Sequence, residues 1–149
     1  MLRVDHVVFP VRDAKASLAF YRDVMGFALT DTVMGDNWGG YPWLMMIFSP
    51  GDGREVVLVA LKGAKMPKIV APELPHLAFA EKSVRALGAW RKRLAAAGID
   101  IREERHGARR SLYFEDPNGL TLEITAPPSR VGNETRAKAV AAAQTWMAA

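Results

Sequence analysis

Apolar and polar residues alternate along several short runs of this chain and recur at helical spacing in two others. Near the N-terminus Val7, Phe9 and Val11 share one parity, which predicts a strand that buries this face and turns His6 to the other. Leu18, Tyr21 and Met25 then recur every three or four residues, predicting a helix over 14–25 that Asp13 caps and Gly26 ends. Three strand-like runs follow, at 27–34, 41–48 and 55–61.

The same pattern then returns. Asp5-His6-Val7-Val8-Phe9 is matched by Pro75-His76-Leu77-Ala78-Phe79. A second helix is predicted over 84–97, with Ser83 as cap, Leu87, Trp90 and Leu94 on one face and Gly98 as stop. Strands at 99–104, 111–115 and 120–125 complete it. The last two strands of each half flank hairpin-like stretches, Ser49-Pro50-Gly51-Asp52-Gly53 and Asp116-Pro117-Asn118-Gly119, and Gly53 aligned with Gly119 sets the repeat register. The order β-α-β-β-β, occurring twice, predicts an α+β protein of two βαβββ modules forming a curved mixed sheet. Residues 1–61 form the first module, 62–73 (with Gly63, Pro67 and Pro72) a linker, 74–126 the second module, and 127–149 a tail with an alanine-rich helix from residue 133.

Composition narrows the function classes. At 149 residues, half of them hydrophobic, the chain can bury a core without staples. It has no cysteine, which excludes thiol nucleophiles, disulfides and Cys-based zinc sites and fits a reducing, cytoplasmic setting. The N-terminus lacks signal-peptide architecture, and no apolar run reaches membrane-span length. A net charge of +4 is spread thinly, and Arg91-Lys92-Arg93 reads as a solvated helix face, so neither nucleic acid nor membrane is an expected partner.

Candidate chemistry comes from parity. His6 and His76 both lie opposite the apolar face of their strands, and Glu123 lies opposite Leu120, Leu122 and Ile124. A glutamate in mid-strand is costly unless it is paired or binds metal. One such histidine is ordinarily a satisfied, partly buried residue, but two at matching repeat positions favour a shared role. Two imidazoles and one carboxylate suit a divalent ion, Fe(II) first, with Mn(II), Zn(II) and Ni(II) as alternatives, and leave coordination positions open. Tyr113 shares the parity of Ser111 and points to the side of Glu123, and Trp43, Met45 and Ile47 form the corresponding face of the third strand.

From residue 3 to about 126 the chain resembles the vicinal-oxygen-chelate superfamily, which includes glyoxalase I, fosfomycin-resistance transferases, bleomycin-binding proteins and type I extradiol dioxygenases. The resemblance implies that His6, His76 and Glu123 hold the metal, while the fourth family position falls on Val57, with Glu55 two residues away at the same parity. That substitution turns the comparison from glyoxalase toward three-ligand members. The run His106, five residues, Leu112-Tyr113, two residues, Asp116-Pro117-Asn118-Gly119, three residues, Glu123 is similar to the extradiol signature, departing at Glu104. By that likeness His106 and Tyr113 are catalytic, Trp43 and Met45 line the substrate wall, and Tyr41 and Trp38 close it, around a catechol-like small molecule. Extradiol enzymes also use a first-module histidine as acid-base, whereas none lies between His6 and His76, leaving Glu55 or Tyr41 for that task. The alternatives are a glyoxalase-type lyase or isomerase, a thiol transferase, or a metal-free binding protein. Family members of this size commonly pair, which implies a homodimer.

Overall fold

The structure is a computed structural model and describes residues 3–65, 75–129 and 136–148. Two four-stranded mixed sheets make up the fold, as the repeat predicts. The first has the order β1-β4-β3-β2, from β1 (His6–Val11), β2 (Ala28–Trp38), β3 (Tyr41–Ser49) and β4 (Glu55–Leu61). The second has the equivalent order β5-β8-β7-β6, from β5 (His76–Ala80), β6 (Arg102–His106), β7 (Arg109–Glu115) and β8 (Thr121–Ala126). In each sheet the first strand runs parallel to the last and the other pairs are antiparallel. The linker region from residue 66 to 73, with Pro67 and Pro72, lies outside the described residues.

The core takes the residues that parity assigned to it. Val7, Phe9 and Val11 pack on one side of the first sheet with Phe48, Val56 and Leu58, and Leu77, Phe79, Leu112, Phe114, Leu122 and Ile124 do so in the second. These faces join α1 (Ala14–Ala19) and α2 (Leu87–Ala96) in one continuous core, so the faces bearing His6 and Glu123 are the ones turned away from it.

Four elements depart from their predicted form. The first helix is α-helical only to Ala19 and widens into a π turn over Phe20–Val24, closed by Met25 N–H to Phe20 O at 2.9 Å. The wide turn buries two consecutive aromatics: Phe20 meets Phe114 of the other module, while Tyr21 packs on Phe27 and Phe48. Asp13 caps α1 by accepting from Ala16 N–H at 2.9 Å, but Ser83 makes no side-chain cap and a 3-10 turn, Val84–Ala86, precedes α2. The β2–β3 ladder runs out to a Trp38–Tyr41 pair because Gly39 and Gly40, both at positive φ, make the two-residue turn that suits strand twist. Likewise β6 runs to His106, which pairs with Arg109, two residues past the predicted end of that strand.

The Asp116-Pro117-Asn118-Gly119 hairpin does more than turn the chain. The Asp116 carboxylate accepts from Asn118 N–H (2.8 Å), Leu120 N–H (2.9 Å), Asn118 Nδ2 (2.9 Å) and, from the first module, Tyr21 Oη (3.1 Å). Asn118 donates to Ser17 Oγ at 3.0 Å and accepts from Arg12 N–H at 2.8 Å. This buried network pins one module to the other.

Candidate metal centre

Strand register arranges the outer face of the second sheet in rows. His76 pairs with Thr121, Ala78 with Glu123, and Ala80 with Thr125. Across β8, Tyr113 pairs with Glu123 and Ser111 with Thr125, and β6 adds Arg102 beside Tyr113, Glu104 beside Ser111 and His106 beside Arg109. His76, Glu123, Tyr113 and His106 therefore share one face.

At its centre His76 Nε2 lies 3.2 Å from Glu123 Oε2. β8 is an inner strand, and only 10% of the Glu123 side chain is exposed, against 37% for His76. The Tyr113 ring stands edge-on to His76, centroids 6.0 Å apart, with the Arg102 guanidinium 5.1 Å from its centre. Burial, and next the negative charge of Glu123, push the Tyr113 hydroxyl above the usual phenol range. It stays protonated at neutral pH and serves as a donor. His106 is farther out, its Nε2 3.3 Å from Glu104 Oε2.

His6 belongs to the other sheet, half-exposed, with Nδ1 3.0 Å from Asp5 Oδ2. Among the described residues no group of three or more His, Cys, Asp or Glu side chains is close enough to share one ion. One chain thus brings together His76, Glu123 and Tyr113, but not His6 with them. The first sheet repeats the geometry of the second: His6 pairs with Glu55 as His76 does with Thr121, and Val8 with Val57 as Ala78 does with Glu123. Val57 is therefore the counterpart of Glu123, and Glu55 that of Thr121, which confirms the repeat register.

The apolar wall is graded along the first sheet. Ile47 pairs with Val57, while Met45 and Trp43 pair with Val59 and Leu61. Met45 and Trp43 are thus about 7 and 13 Å farther along the strand than Val57. Trp43 meets Trp38 edge-on at 5.3 Å, beside the exposed Tyr41. A cavity of about 990 Å³ lies at this end, lined by Val11, Met34, Pro42, Trp43, Leu44 and Leu61 among others, and apart from the His76–Glu123 pair. Parity puts Thr125 on the face of Glu123, but the row that Ala78 and Ala80 form beside them emerges only when β5 pairs with β8.

The family model of the Glyoxalase/Bleomycin resistance protein/Dioxygenase superfamily matches residues 3–124. The chain belongs to this superfamily, the vicinal-oxygen-chelate group. Among relatives, "Uncharacterized protein YwbC" of Bacillus subtilis is 28% identical over 124 residues, covering 82% of this chain and 95% of that protein. "Putative ring-cleaving dioxygenase MhqE" of the same organism is 26% identical over 80% of this chain, which spans 39% of MhqE. A solved glyoxylase/bleomycin resistance protein/dioxygenase domain from Frankia sp. EAN1pec has the same fold, with a TM-score of 0.68 at 23% identity, covering 86% of this chain and 99% of that one. No helix among the described residues is long and apolar enough to cross a membrane.

Proposed function

We propose that this protein is a metal-dependent oxygenase of the extradiol type acting on a catechol-like aromatic, with Fe(II) held by His76 and Glu123 of one copy and His6 of a second. The carrying observation is the His76–Glu123 pair, 3.2 Å apart on an outer strand face with Tyr113 against it. A mostly buried glutamate whose close partner is an imidazole, on a face also bearing a phenol, fits a hard divalent ion with an oxygen ligand. We take the third donor to come in trans, because His6 does not cluster with the pair in one chain; a two-fold dimer setting the first module of one copy against the second module of the other would bring it there.

Fe(II) in that site would supply the redox chemistry that joins a catechol to dioxygen. The chain's own part is positional. Tyr113, holding its proton at neutral pH, donates to Glu123 or to an incoming substrate oxygen. His106, on the same face, reaches a more distal part of the ligand, and Ile47 and Met45 of the first sheet form the apolar wall that the ring meets. Val57, buried where a fourth ligand would stand, keeps the set to three donors. The ring-cleaving name carried by MhqE is in line with the oxygenase reading.

The test is anaerobic Fe(II) loading followed by oxygen uptake with a panel of catechols. Ring-cleaved product that His76→Ala abolishes is expected, and its absence with every catechol refutes the oxygenase reading. Mixing the inactive His6→Ala and Glu123→Gln variants tests the shared site. Random exchange in a two-fold dimer restores about a quarter of the sites in trans, whereas a site within one chain recovers nothing.

A further inference from the structure

Arg109 carries an unmet demand for an anion. It is half-buried on the outer face of β7, yet its Nε is shielded from solvent without any hydrogen-bond partner. Its Nη2 donates to Thr125 Oγ1 at 3.2 Å, and Ser111 Oγ donates to the same oxygen at 2.9 Å. Neighbouring basic side chains lie beside glutamates: Arg102 and His106 near Glu104, and Arg110 near Glu103. Among the described residues Arg109 has hydroxyl company but no carboxylate in its ion-pair shell. A guanidinium with a shielded, idle donor is costly to maintain, and its planar fork matches a carboxylate two bonds at a time.

Position gives this demand a meaning. Thr125 stands two residues beyond Glu123 on the same face of β8, a distance of about 7 Å. The intervening floor is Ala78 and Ala80, which pair with Glu123 and Thr125 and put only methyl groups on that face. A flat ligand can therefore lie along β8 from Glu123 to Arg109, with Tyr113 and Ser111 beside it. An aromatic ring with a carboxylate across from a hydroxyl has a comparable span.

We infer that Arg109, its guanidinium held in place by Thr125 Oγ1, forms an anion subsite that selects substrates carrying a carboxylate opposite the oxygen pair. This rests on the proposed metal site for the ligand's other end. The subsite sets specificity and does not touch the reacting oxygens.

The experiment compares 3,4-dihydroxybenzoate with catechol, which differ only by the carboxylate, in anaerobic calorimetric titrations of the Fe(II)-loaded and metal-free full chain. The loaded wild type is expected to bind the acid about 10- to 100-fold more tightly than catechol. Arg109→Gln should remove this preference with catechol affinity unchanged, and Arg109→Lys should retain part of it. In metal-free protein the weaker binding of the acid should still fall in Arg109→Gln. Equal affinities in the wild type, a preference that survives Arg109→Gln, or no binding of either compound overturns the subsite. If the acid binds in an Arg109-dependent manner while catechol ignores the metal, the subsite stands and the metal reading falls. Catechol binding to the loaded protein without an acid preference gives the reverse. Thermal melts of both variants matching wild type exclude misfolding as the cause.

Discussion

Replacing Asp116 by alanine tests the claim that the hairpin between β7 and β8 fastens the two modules. The substitution strips the acceptor from four donors at once: the N–H groups of Asn118 and Leu120, the Asn118 amide and the Tyr21 hydroxyl. Asp116, Asn118 and Tyr21 are all buried, so water cannot replace the lost oxygens without opening the interface. A hydrogen bond to a charged acceptor contributes about 1.5–3 kcal/mol net, but four bonds sharing one desolvated carboxylate do not add. Leaving a buried donor unsatisfied costs about 1–3 kcal/mol, so losing the shared acceptor of four such donors, which do not add, is expected to cost about 3–5 kcal/mol. For a chain of this length that lowers Tm by roughly 6–20 °C. Urea unfolding followed by tyrosine and tryptophan fluorescence measures it. Asp116→Asn, which keeps one acceptor oxygen, should lose about half as much. Tyr21→Phe and Asp116→Ala should couple by about 1 kcal/mol in a double-mutant cycle, since they share a bond across the modules. A loss under about 1 kcal/mol for Asp116→Ala, or strict additivity with Tyr21→Phe, refutes the fastening role.

Tyr21 also yields a pH prediction, because burial and then the Asp116 charge raise its hydroxyl far above the ordinary phenol value. The unfolded chain releases this proton near pH 10 while the folded chain keeps it, so its contribution is complete below about pH 10 and is lost as pH climbs further. The slope from this one group is about 1.4 kcal/mol per pH unit, and Tyr21→Phe, though about 1 kcal/mol less stable at neutral pH, should show a shallower alkaline decline. Glu123→Gln preserves shape but removes the carboxylate beside His76, and Mn(II) or Fe(II) affinity by calorimetry should drop more than about 100-fold, beyond the usual effect of an outer-sphere partner. Unchanged affinity would place the metal elsewhere. Gly35→Ala puts a Cβ 2.7 Å from Trp43 Nε1, so the indole must shift, with a stability loss of about 1–3 kcal/mol and a changed tryptophan emission spectrum. Wild-type emission and stability in that variant would show that Trp43 has room to move.

Much of the architecture was legible in the linear order of residues. Side-chain alternation has a period of two, so His6, His76 and Glu123 could be assigned to the faces opposite Val7, Leu77 and Leu122 before any tertiary contact was known. The repeat itself placed Val57 opposite the role of Glu123, and register in the folded sheets bears this out, because hydrogen-bonded ladders leave no freedom to slip once one face is buried. Local pattern could not foresee the π turn, because the widening follows from two adjacent aromatics meeting different modules, a demand set by packing and not by the period of the segment. Nor could it show that Asp116 and Asn118 hold Tyr21, Ser17 and Arg12 from about a hundred residues away. Parity says which face a side chain takes but not which other face it will meet. The donors beside one another in a single chain, and the idle guanidinium of Arg109 near them, were therefore decided only when the sheets paired and the core closed between the modules.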